Sequence, residues 1–284
     1  MSDVDLFNTF VDLHEKLSGR GISIILGGGL GLYLKQLHLL ENPARTLIDA
    51  SGWPKPRSTS DIDLFFPLEV LISLDEMKAV RTVIDEMHFE PIPGCEYWRF
   101  NLPANEVKID LLTGPIETAK TQLKSDSRRA RPKGDLQLHT HPVPEALDLS
   151  ARLEQVGLVG LTSAKKESTV SIPSPFTYLM MKVTAFGDLL DNEDKNLGRH
   201  HALDVYRIVA MMSEDQFIET KSQFKLHFSS PYVERVRGLV TDCFSTEQSI
   251  GILRMREHPF WNENMRVLDF IGALNEMIVN EGFV

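Results

Sequence analysis

Two carboxylates stand one residue apart in the segment PRSTSDIDLFF, at Asp61 and Asp63. Residues i and i+2 of a strand point to the same face, so the two side chains lie beside each other at the mouth of an apolar run. Like charges at that separation repel each other unless a cation joins them. The spacing leaves two interpretations, a solvated pair at a strand end or a metal site.

A third carboxylate, Asp110, lies in the alternating segment VKIDLL. The alternation predicts a second strand whose polar face carries Lys108 and Asp110. Mg²⁺ and Mn²⁺ prefer oxygen ligands and are commonly held by carboxylates together with substrate phosphates. We therefore predict a metal site of Asp61, Asp63 and Asp110, suited to phosphoryl-type transfer with two ions. The alternative is three separate, solvated residues at strand ends.

A glycine turn precedes these acids. Residues 27–29 are Gly-Gly-Gly, between the short apolar segment ISIIL and the helical pattern LGLYLKQLHLL. Glycine lets the backbone approach a phosphate closely, and a helix N-terminus presents free amides to it. The spacing matches neither the dinucleotide-binding nor the P-loop pattern. Taken alone, the glycines predict only a tight strand-to-helix turn.

The surrounding elements must position these groups. Strand patterns alternate with helical ones over the first half, beginning with a helix at 4–19 whose apolar stripe is Leu6, Phe10, Leu13 and Leu17. This alternation favours an α/β (α+β) domain; its small mixed sheet is what the family resemblance described below implies. Residues 120–145 are polar and basic and read as a loop crossing between domains. From 176 onward the patterns are helical, so we predict domains at 1–170 and 171–284.

Composition limits the class of protein. The 284 residues are 42% hydrophobic with a formal net charge of −10, which is ordinary globular composition without a globally basic surface. The two cysteines, Cys95 and Cys243, are far apart in sequence and fit a reducing compartment. The N-terminus has no signal-peptide pattern and no apolar run reaches the length of a membrane span. We expect a cytoplasmic protein that does not contact membranes.

Taken in order, these segments resemble the nucleotidyltransferase superfamily. The resemblance comprises Gly28 and Gly29, with Gly27 as an alternative register, then RSTSDID at 57–63, then an Asp in an apolar strand. The RSTSDID segment is similar to that of the AbiEii/MenT-type nucleotidyltransferase toxins of type IV toxin–antitoxin systems. The family's helical Lys is matched by Lys182 in YLMMKVTAF, and its late Asp by Asp204 in GRHHALDVYRIV.

The resemblance covers residues 26–212 and implies a nucleotidyltransferase-fold domain followed by a helical domain that closes the cleft. It implies transfer of NMP from an NTP to an acceptor hydroxyl, with Asp61 and Asp63 holding two Mg²⁺ ions. Asp110 would complete the metal shell or take the acceptor's proton. The residues that it implies for binding the nucleotide are Gly28, Gly29, Arg57, Ser60, Lys182 and Asp204.

Each of the two distant residues also has a simpler interpretation. Lys182 could be a surface lysine of a helix, lying over apolar neighbours. Asp204 could pair with Arg207 or His200 on its own helix. The interval between Gly29 and Asp61 is longer than in the family, which predicts an inserted loop containing Trp53.

The acceptor stays open at this point. The family resemblance implies a tRNA 3′ end, with an antitoxin protein as a partner. A basic run at 124–133 favours RNA, whereas the net charge of −10 disfavours it. The alternatives are a small-molecule or protein acceptor, or a regulatory module that binds a nucleotide without turnover.

Overall fold

The structure, a computed structural model, describes residues 3–57, 59, 61–158 and 168–279. Its contacts group the chain into two compact units. The first unit is Met1–Leu34 with Ser58–Pro173, and the second is Lys35–Arg57 with Ser174–Val284. The domain boundary at residue 170 stays a prediction, and residues 35–57 group with the second unit.

The first unit opens with helix α1 (Asp3–Ser18), whose predicted stripe of Leu6, Phe10, Leu13 and Leu17 is buried. The other helices that begin in this unit are α2 (Gly28–Glu41), α3 (Leu68–Ile72) and α4 (Leu74–Glu86). Ser73 caps α4, since its hydroxyl accepts from the Glu76 amide at 3.3 Å. Helix α1 contacts both α4 and the sheet, and the buried stripe thereby becomes part of the core.

The strands of this unit are β1 (Ile25–Leu26), β2 (Asp61–Phe65), β3 (Glu90–Pro91), β4 (Arg99–Leu102), β5 (Val107–Thr113), β6 (Leu123–Ser125), β7 (Ala130–Pro132), β8 (His141–Pro142), β9 (Leu153–Gly157) and β10 (Thr169–Pro173). Within the described ranges, eight of them form one sheet in the order β3-β4-β5-β2-β1-β10-β9, with β8 beside β5. The pairs β2–β5, β1–β10 and β5–β8 are parallel and the others antiparallel. The predicted mixed sheet of an α+β protein is confirmed.

The side chains of the two central strands, β2 and β5, alternate between the two faces of the sheet. Ile62 and Leu64 of β2, and Ile109 and Leu111 of β5, are almost completely buried. Their neighbours in sequence point to the opposite face of the sheet, as the period of two requires. The charged residues of both strands, Asp61, Asp63, Lys108 and Asp110, are thereby placed on one face.

The sequence suggested that residues 120–145 form a loop between domains. The structure shows that they do not. Strands β6 and β7 pair with each other antiparallel, β8 joins the main sheet, and all three lie in the first unit. The strands are two or three residues long, and the exposed positions, both on β6, carry Lys and Ser. Such short ribbons bury too few side chains to show a strand pattern in sequence.

The second unit is helical among its described residues. Its helices are α5 (Pro175–Leu189), α6 (Arg199–Ala210), α7 (Glu214–Leu226), α8 (Pro231–Phe244), α9 (Ile250–Arg256) and α10 (Val267–Ile278), with the end of α2. No helix of the described chain has both the length and the apolar character needed to cross a membrane.

The segment containing Trp53 packs on this helical unit. The Leu47 amide donates to the Met212 carbonyl at 2.8 Å, just past the end of α6. The Tyr206 hydroxyl donates to the Gly52 carbonyl at 2.7 Å, within a short 3-10 helix at Ala50–Gly52. These bonds hold residues 47–57 against α6, including Arg57 at their end.

Candidate active site

The polar face of the central strands carries the three predicted carboxylates. In the parallel register of β2 and β5, Asp63 lies beside Asp110 and Asp61 lies beside Lys108. The antiparallel strand β4 then places Arg99 directly opposite Asp110. The convergence expected from the alternation is therefore present in the fold. We call Asp61, Asp63 and Asp110 the acidic row.

Asp110 forms an ion pair with Arg99, whose proximity the sequence did not indicate. Arg99 Nε donates to Asp110 Oδ1 and Nη2 donates to Oδ2, both at 2.5 Å. This bidentate pair raises the pKa of Arg99 above its ordinary value, chiefly through the hydrogen bonds. The Asp110 side chain is only 8% exposed. The pair uses one lone-pair site on each oxygen of Asp110, so a metal ion or a proton would share this carboxylate with Arg99.

Asp61 and Asp63 differ from Asp110 because both are partly exposed. Asp61 Oδ1 accepts a hydrogen bond from the Thr59 hydroxyl at 2.5 Å. Among the described residues, no three Asp, Glu, His or Cys side chains form a ligand group for a metal ion. The donor chemistry of the Asp61 and Asp63 carboxylates nevertheless fits a hard divalent cation that completes its shell with water and substrate oxygens.

The glycine turn packs directly on Asp63. The Gly27 amide donates to the Asp63 carbonyl at 2.9 Å, which aligns the turn with β2. Gly28 has a φ of +61°, and a Cβ there would lie 1.8 Å from Asp63 Oδ2. Gly28 is required both by its left-handed backbone and by the carboxylate beside it. Helix α2 begins at this residue, with Gly29 next in its first turn, so backbone amides lie beside the carboxylate.

The remaining predicted residues form a different group. Arg57, Lys182 and Asp204 belong to the second unit, whereas Gly28, Gly29 and the acidic row belong to the first. Ser60, predicted to assist the triphosphate, lies outside the described residues.

Asp204 lies at the centre of the second group. Its Oδ2 accepts from Lys182 Nζ at 2.8 Å and from Arg57 Nη2 at 3.0 Å, and its Oδ1 accepts from Arg207 Nη1 at 3.0 Å. Arg207 Nε also donates to Gln36 Oε1 at 3.1 Å. We call Arg57, Lys182, Asp204 and Arg207 the buried ion cluster. Lys182 is thus a buried partner of Asp204 rather than a surface lysine.

The charges in this cluster do not balance. Three cations surround one carboxylate, which leaves two positive charges in excess. Burial, the largest single influence, would raise the pKa of Asp204, but the combined attraction of Lys182, Arg57 and Arg207 holds it well below its ordinary value. Within the described chain, the buried Nη2 of Arg207 has no hydrogen-bond partner. Arg207 therefore keeps one donor unused within the cluster.

Two histidines near these cations, His201 and His258, are neutral. His258 Nδ1 accepts from the Phe260 amide at 3.0 Å, so the ring hydrogen of the neutral form lies on Nε2, which is 2.8 Å from His200 Nδ1. Burial, followed by the adjacent positive charges, lowers the pKa of His258 to about 4 and that of His201 to about 3. His200 and His201 both lie on α6.

Comparisons with known proteins were made for the whole chain. No protein-family model matches it, and no curated protein matches it. Among solved structures, the antibiotic-resistance factor ANT(2'')-Ia shares 10% identity over 82% of this chain and 98% of its own, with a TM-score of 0.41. An antigenic nucleotidyltransferase-like protein from Paracoccidioides brasiliensis shares 16% identity over 82% and 92%, with a TM-score of 0.39. Likenesses at this level carry no argument, so the functional reasoning rests on the residues themselves.

Proposed function

We propose that this protein is a nucleotidyltransferase that moves NMP from an NTP to an acceptor hydroxyl. The observation that carries the proposal is the packing of Gly28 against Asp63, beside Asp61 on the same strand face. One short region thereby combines two partly exposed carboxylates with the backbone amides of a helix start. Carboxylates for a divalent cation and amides for phosphate oxygens are the two kinds of group that a metal–nucleotide complex needs.

The roles of the first unit follow from this arrangement. Asp61 and Asp63 would hold Mg²⁺ or Mn²⁺, which when bound neutralises phosphate charge and polarises the phosphorus that is attacked. The backbone at Gly28 and Gly29 would donate to the β- and γ-phosphates. Asp110 would either complete the metal shell or accept the hydroxyl proton, in both cases on a carboxylate that it shares with Arg99.

The buried ion cluster supports a second part of the proposal. Arg57 is 15% exposed and Lys182 is 9% exposed, whereas the carboxylate between them is fully buried. The cluster's two excess positive charges suit the phosphates of a nucleotide. We propose that Arg57 and Lys182 bind nucleotide phosphates and that Asp204 fixes their positions.

For the acceptor, we propose the 3′ end of a tRNA, as a toxin of a toxin–antitoxin system would use. The support is the resemblance of RSTSDID to those toxins, together with exposed basic residues on β6 and in the turn between β6 and β7. A small molecule or a protein acceptor is the alternative within the same chemistry. A nucleotide-binding module without turnover is a second candidate function, favoured by the pairing of Asp110 with Arg99.

Transfer of label from each NTP tests the proposal. The protein is incubated with Mg²⁺, an α-labelled NTP and total RNA, total soluble protein or small metabolites. We expect labelling of RNA, abolished by EDTA and reduced at least about 100-fold in Asp61→Asn or Asp63→Asn. Asp12→Asn, on the exposed face of α1, is the matched control and should keep full activity. Label on no acceptor, with Mg²⁺-dependent NTP binding intact, would favour the regulatory module instead.

A further inference from the structure

We propose that the β6–β7 hairpin, together with Tyr97 and Trp98, binds a single-stranded RNA segment, with phosphates on its basic residues and bases on its rings. The inference rests on the proposed function insofar as this RNA would be the acceptor. We call the basic residues of the hairpin and the neighbouring rings the hairpin surface. Its members are Tyr97, Trp98, Lys124, Arg128, Arg129, Arg131, His139 and His141.

The charge of this surface is opposite to that of the whole protein. Residues 124–135 contain five basic residues and two acidic ones, in a chain of net charge −10. Lys124, Arg128 and Arg129 are exposed. Asp126 is used in the turn itself, because its Oδ1 accepts from the amides of Arg128 and Arg129 at 2.8 and 3.0 Å. The surface is therefore a local basic patch, the usual mark of a polyanion-binding site.

A cavity of about 250 Å³ opens within this patch. Its lining comprises Lys124, Ser125, Asp126, Arg129, Arg131 and His139. His139 is buried, and its Nδ1 has no hydrogen-bond partner in the described part of the chain. Burial, with help from Arg131 and Arg129, lowers the pKa of His139 to about 4, so the ring is neutral at pH 7. Three cations, of which Arg129 is paired with Asp126 at 3.1 Å, line the cavity together with an unused ring nitrogen, and the remaining excess of positive charge suits a phosphate group.

Two stacked pairs of rings lie beside the basic residues. The Tyr97 and His139 ring centroids are 4.6 Å apart, and those of Trp98 and His141 are 4.8 Å apart, with interplanar angles of 23° and 27°. The guanidinium of Arg129 lies 5.8 Å from the Tyr97 ring centroid. Tyr97 and Trp98 are partly exposed, so each ring keeps surface that a nucleobase can contact.

Main-chain bonds hold these rings in place. The His139 amide donates to the Tyr97 carbonyl, and the Leu111 amide donates to the Trp98 carbonyl, both at 2.8 Å. His141 Nδ1 is 2.8 Å from the Arg128 carbonyl, which links the second pair of rings to the hairpin turn. The rings are thus attached to both the hairpin and β5. Binding a base on them requires little further ordering.

The hairpin surface also adjoins the acidic row. Arg99, which holds Asp110, directly follows Trp98 in sequence, and its guanidinium lies 5.6 Å from the Trp98 ring centroid. Both features lie in the first unit. An acidic protein could satisfy the charges alone, whereas single-stranded RNA uses the charges and the rings together. We therefore assign RNA as the occupant.

Binding of a fluorescent single-stranded oligoribonucleotide to the full chain tests this assignment. Replacing Lys124, Arg128 and Arg129 together by Gln should weaken binding at least about 10-fold at moderate salt and make the log–log salt dependence shallower by about 2. The triple variant Lys16→Gln, Arg20→Gln and Lys78→Gln changes the charge equally and should bind like the wild type; these residues lie on α1, just after α1 and on α4. Thermal melts confirm that each variant is folded.

The rings are tested separately from the charges. Trp98→Leu should weaken RNA binding about 10-fold while leaving the salt dependence unchanged, because stacking involves no counterion release. RNA binding that is equal in the hairpin and control triple variants would overturn the proposal. Unchanged affinity in Trp98→Leu, with polyglutamate competing as well as RNA per charge, would replace RNA by an acidic protein partner.

The outcome can be separated from that of the proposed function. Asp61→Asn should lose nucleotidyl transfer yet bind the oligoribonucleotide like the wild type. If neither the wild type nor any variant transfers label, but oligoribonucleotide binding still depends on the hairpin and Trp98, the transferase proposal fails and the RNA surface stands. If label reaches RNA equally in the hairpin triple variant, the acceptor binds elsewhere and this inference fails.

Discussion

The acidic row and the buried ion cluster are built from the same kinds of side chain in opposite proportions. The row has three carboxylates and one bound arginine, and two of its carboxylates are partly exposed. The cluster has three cations around one carboxylate, Asp204, which is fully buried. An excess charge at the surface can attract a counter-ion, whereas a fully buried charge must be compensated within the fold. The comparison thus separates Asp61 and Asp63, which are available for ligands, from Asp204, which the fold requires.

By the same reasoning we assign different roles to Asp110 and Asp204, both of which the sequence had indicated as functional residues. Asp110 and Asp204 both accept bonds from arginine, but Arg99 is 35% exposed and Arg207 only 1% exposed. Losing Asp110 leaves a cation that water can still solvate. Losing Asp204 leaves three cations in or near the interior. We expect a functional penalty in the first case and a structural one in the second.

The largest predicted effect is therefore that of Asp204→Asn. Removing one partner of a buried ion network costs about 3–5 kcal/mol because the remaining charges are uncompensated. Chemical denaturation should show this loss, whereas Asp110→Asn should cost only about 1 kcal/mol. Asp242→Asn, at an exposed position of α8, serves as the control for the second unit. Equal stability of the Asp204 and Asp242 variants would remove the distinction between the two regions.

Acid should act on the second unit in a defined pH window. The folded pKa of His201 is about 3 and that of His258 about 4, both below the ordinary 6.5. Between the folded pKa values and the ordinary 6.5, the unfolded chain binds more protons than the folded chain does. The contribution of the two histidines to stability is therefore complete above pH 6.5 and is lost as the pH falls towards the folded pKa values. The melting temperature should fall from pH 6.5 to pH 4. The fall should be smaller in His201→Gln than in a His38→Gln control, and equal falls would contradict the assignment.

A smaller effect tests the excess positive charge of the cluster. Inorganic tripolyphosphate should raise the melting temperature of the wild type, since a ligand of the folded state stabilises it. Lys182→Gln removes one charge-assisted bond and should weaken this affinity about 10-fold. Lys225→Gln, exposed on α7, is the matched control. The same dependence on tripolyphosphate in both variants would mean that the cluster is closed to anions.

Much of the acidic row was predictable because it depends on local patterns. The period of two placed Asp61 and Asp63 on one face, and the alternation in VKIDLL placed Asp110 on the polar face of its strand. The parallel register then brought Asp63 beside Asp110. Arg99 was not predictable, because its position opposite Asp110 depends on the antiparallel register of β4. The close packing of Gly28 on Asp63 likewise appears only when β1 and β2 are paired.

The ion cluster shows the limit of sequence reasoning more sharply. The bond between Arg207 and Asp204 is local on α6, and the sequence offered it as an alternative. The bond between Arg57 and Asp204 joins residues 147 positions apart, across a segment whose packing on α6 no local pattern predicts. The resemblance selected Lys182 and Asp204 but gave no indication that Asp204 is fully buried. Burial of a charge depends on the tertiary neighbours, which the periodicity of one helix does not specify.

The most direct test of the central claim is to locate a divalent cation on the acidic row. Substoichiometric Mn²⁺ is added to the ¹⁵N-labelled protein, and paramagnetic broadening of the backbone amide signals is measured. We expect the amide signals of Gly27, Gly28 and Ile62 to broaden first. We also expect Asp61→Asn with Asp63→Asn to abolish this broadening and Asp12→Asn to preserve it. Broadening confined to other acidic surfaces, or unchanged in the double variant, would contradict the assignment of Asp61 and Asp63 as metal ligands.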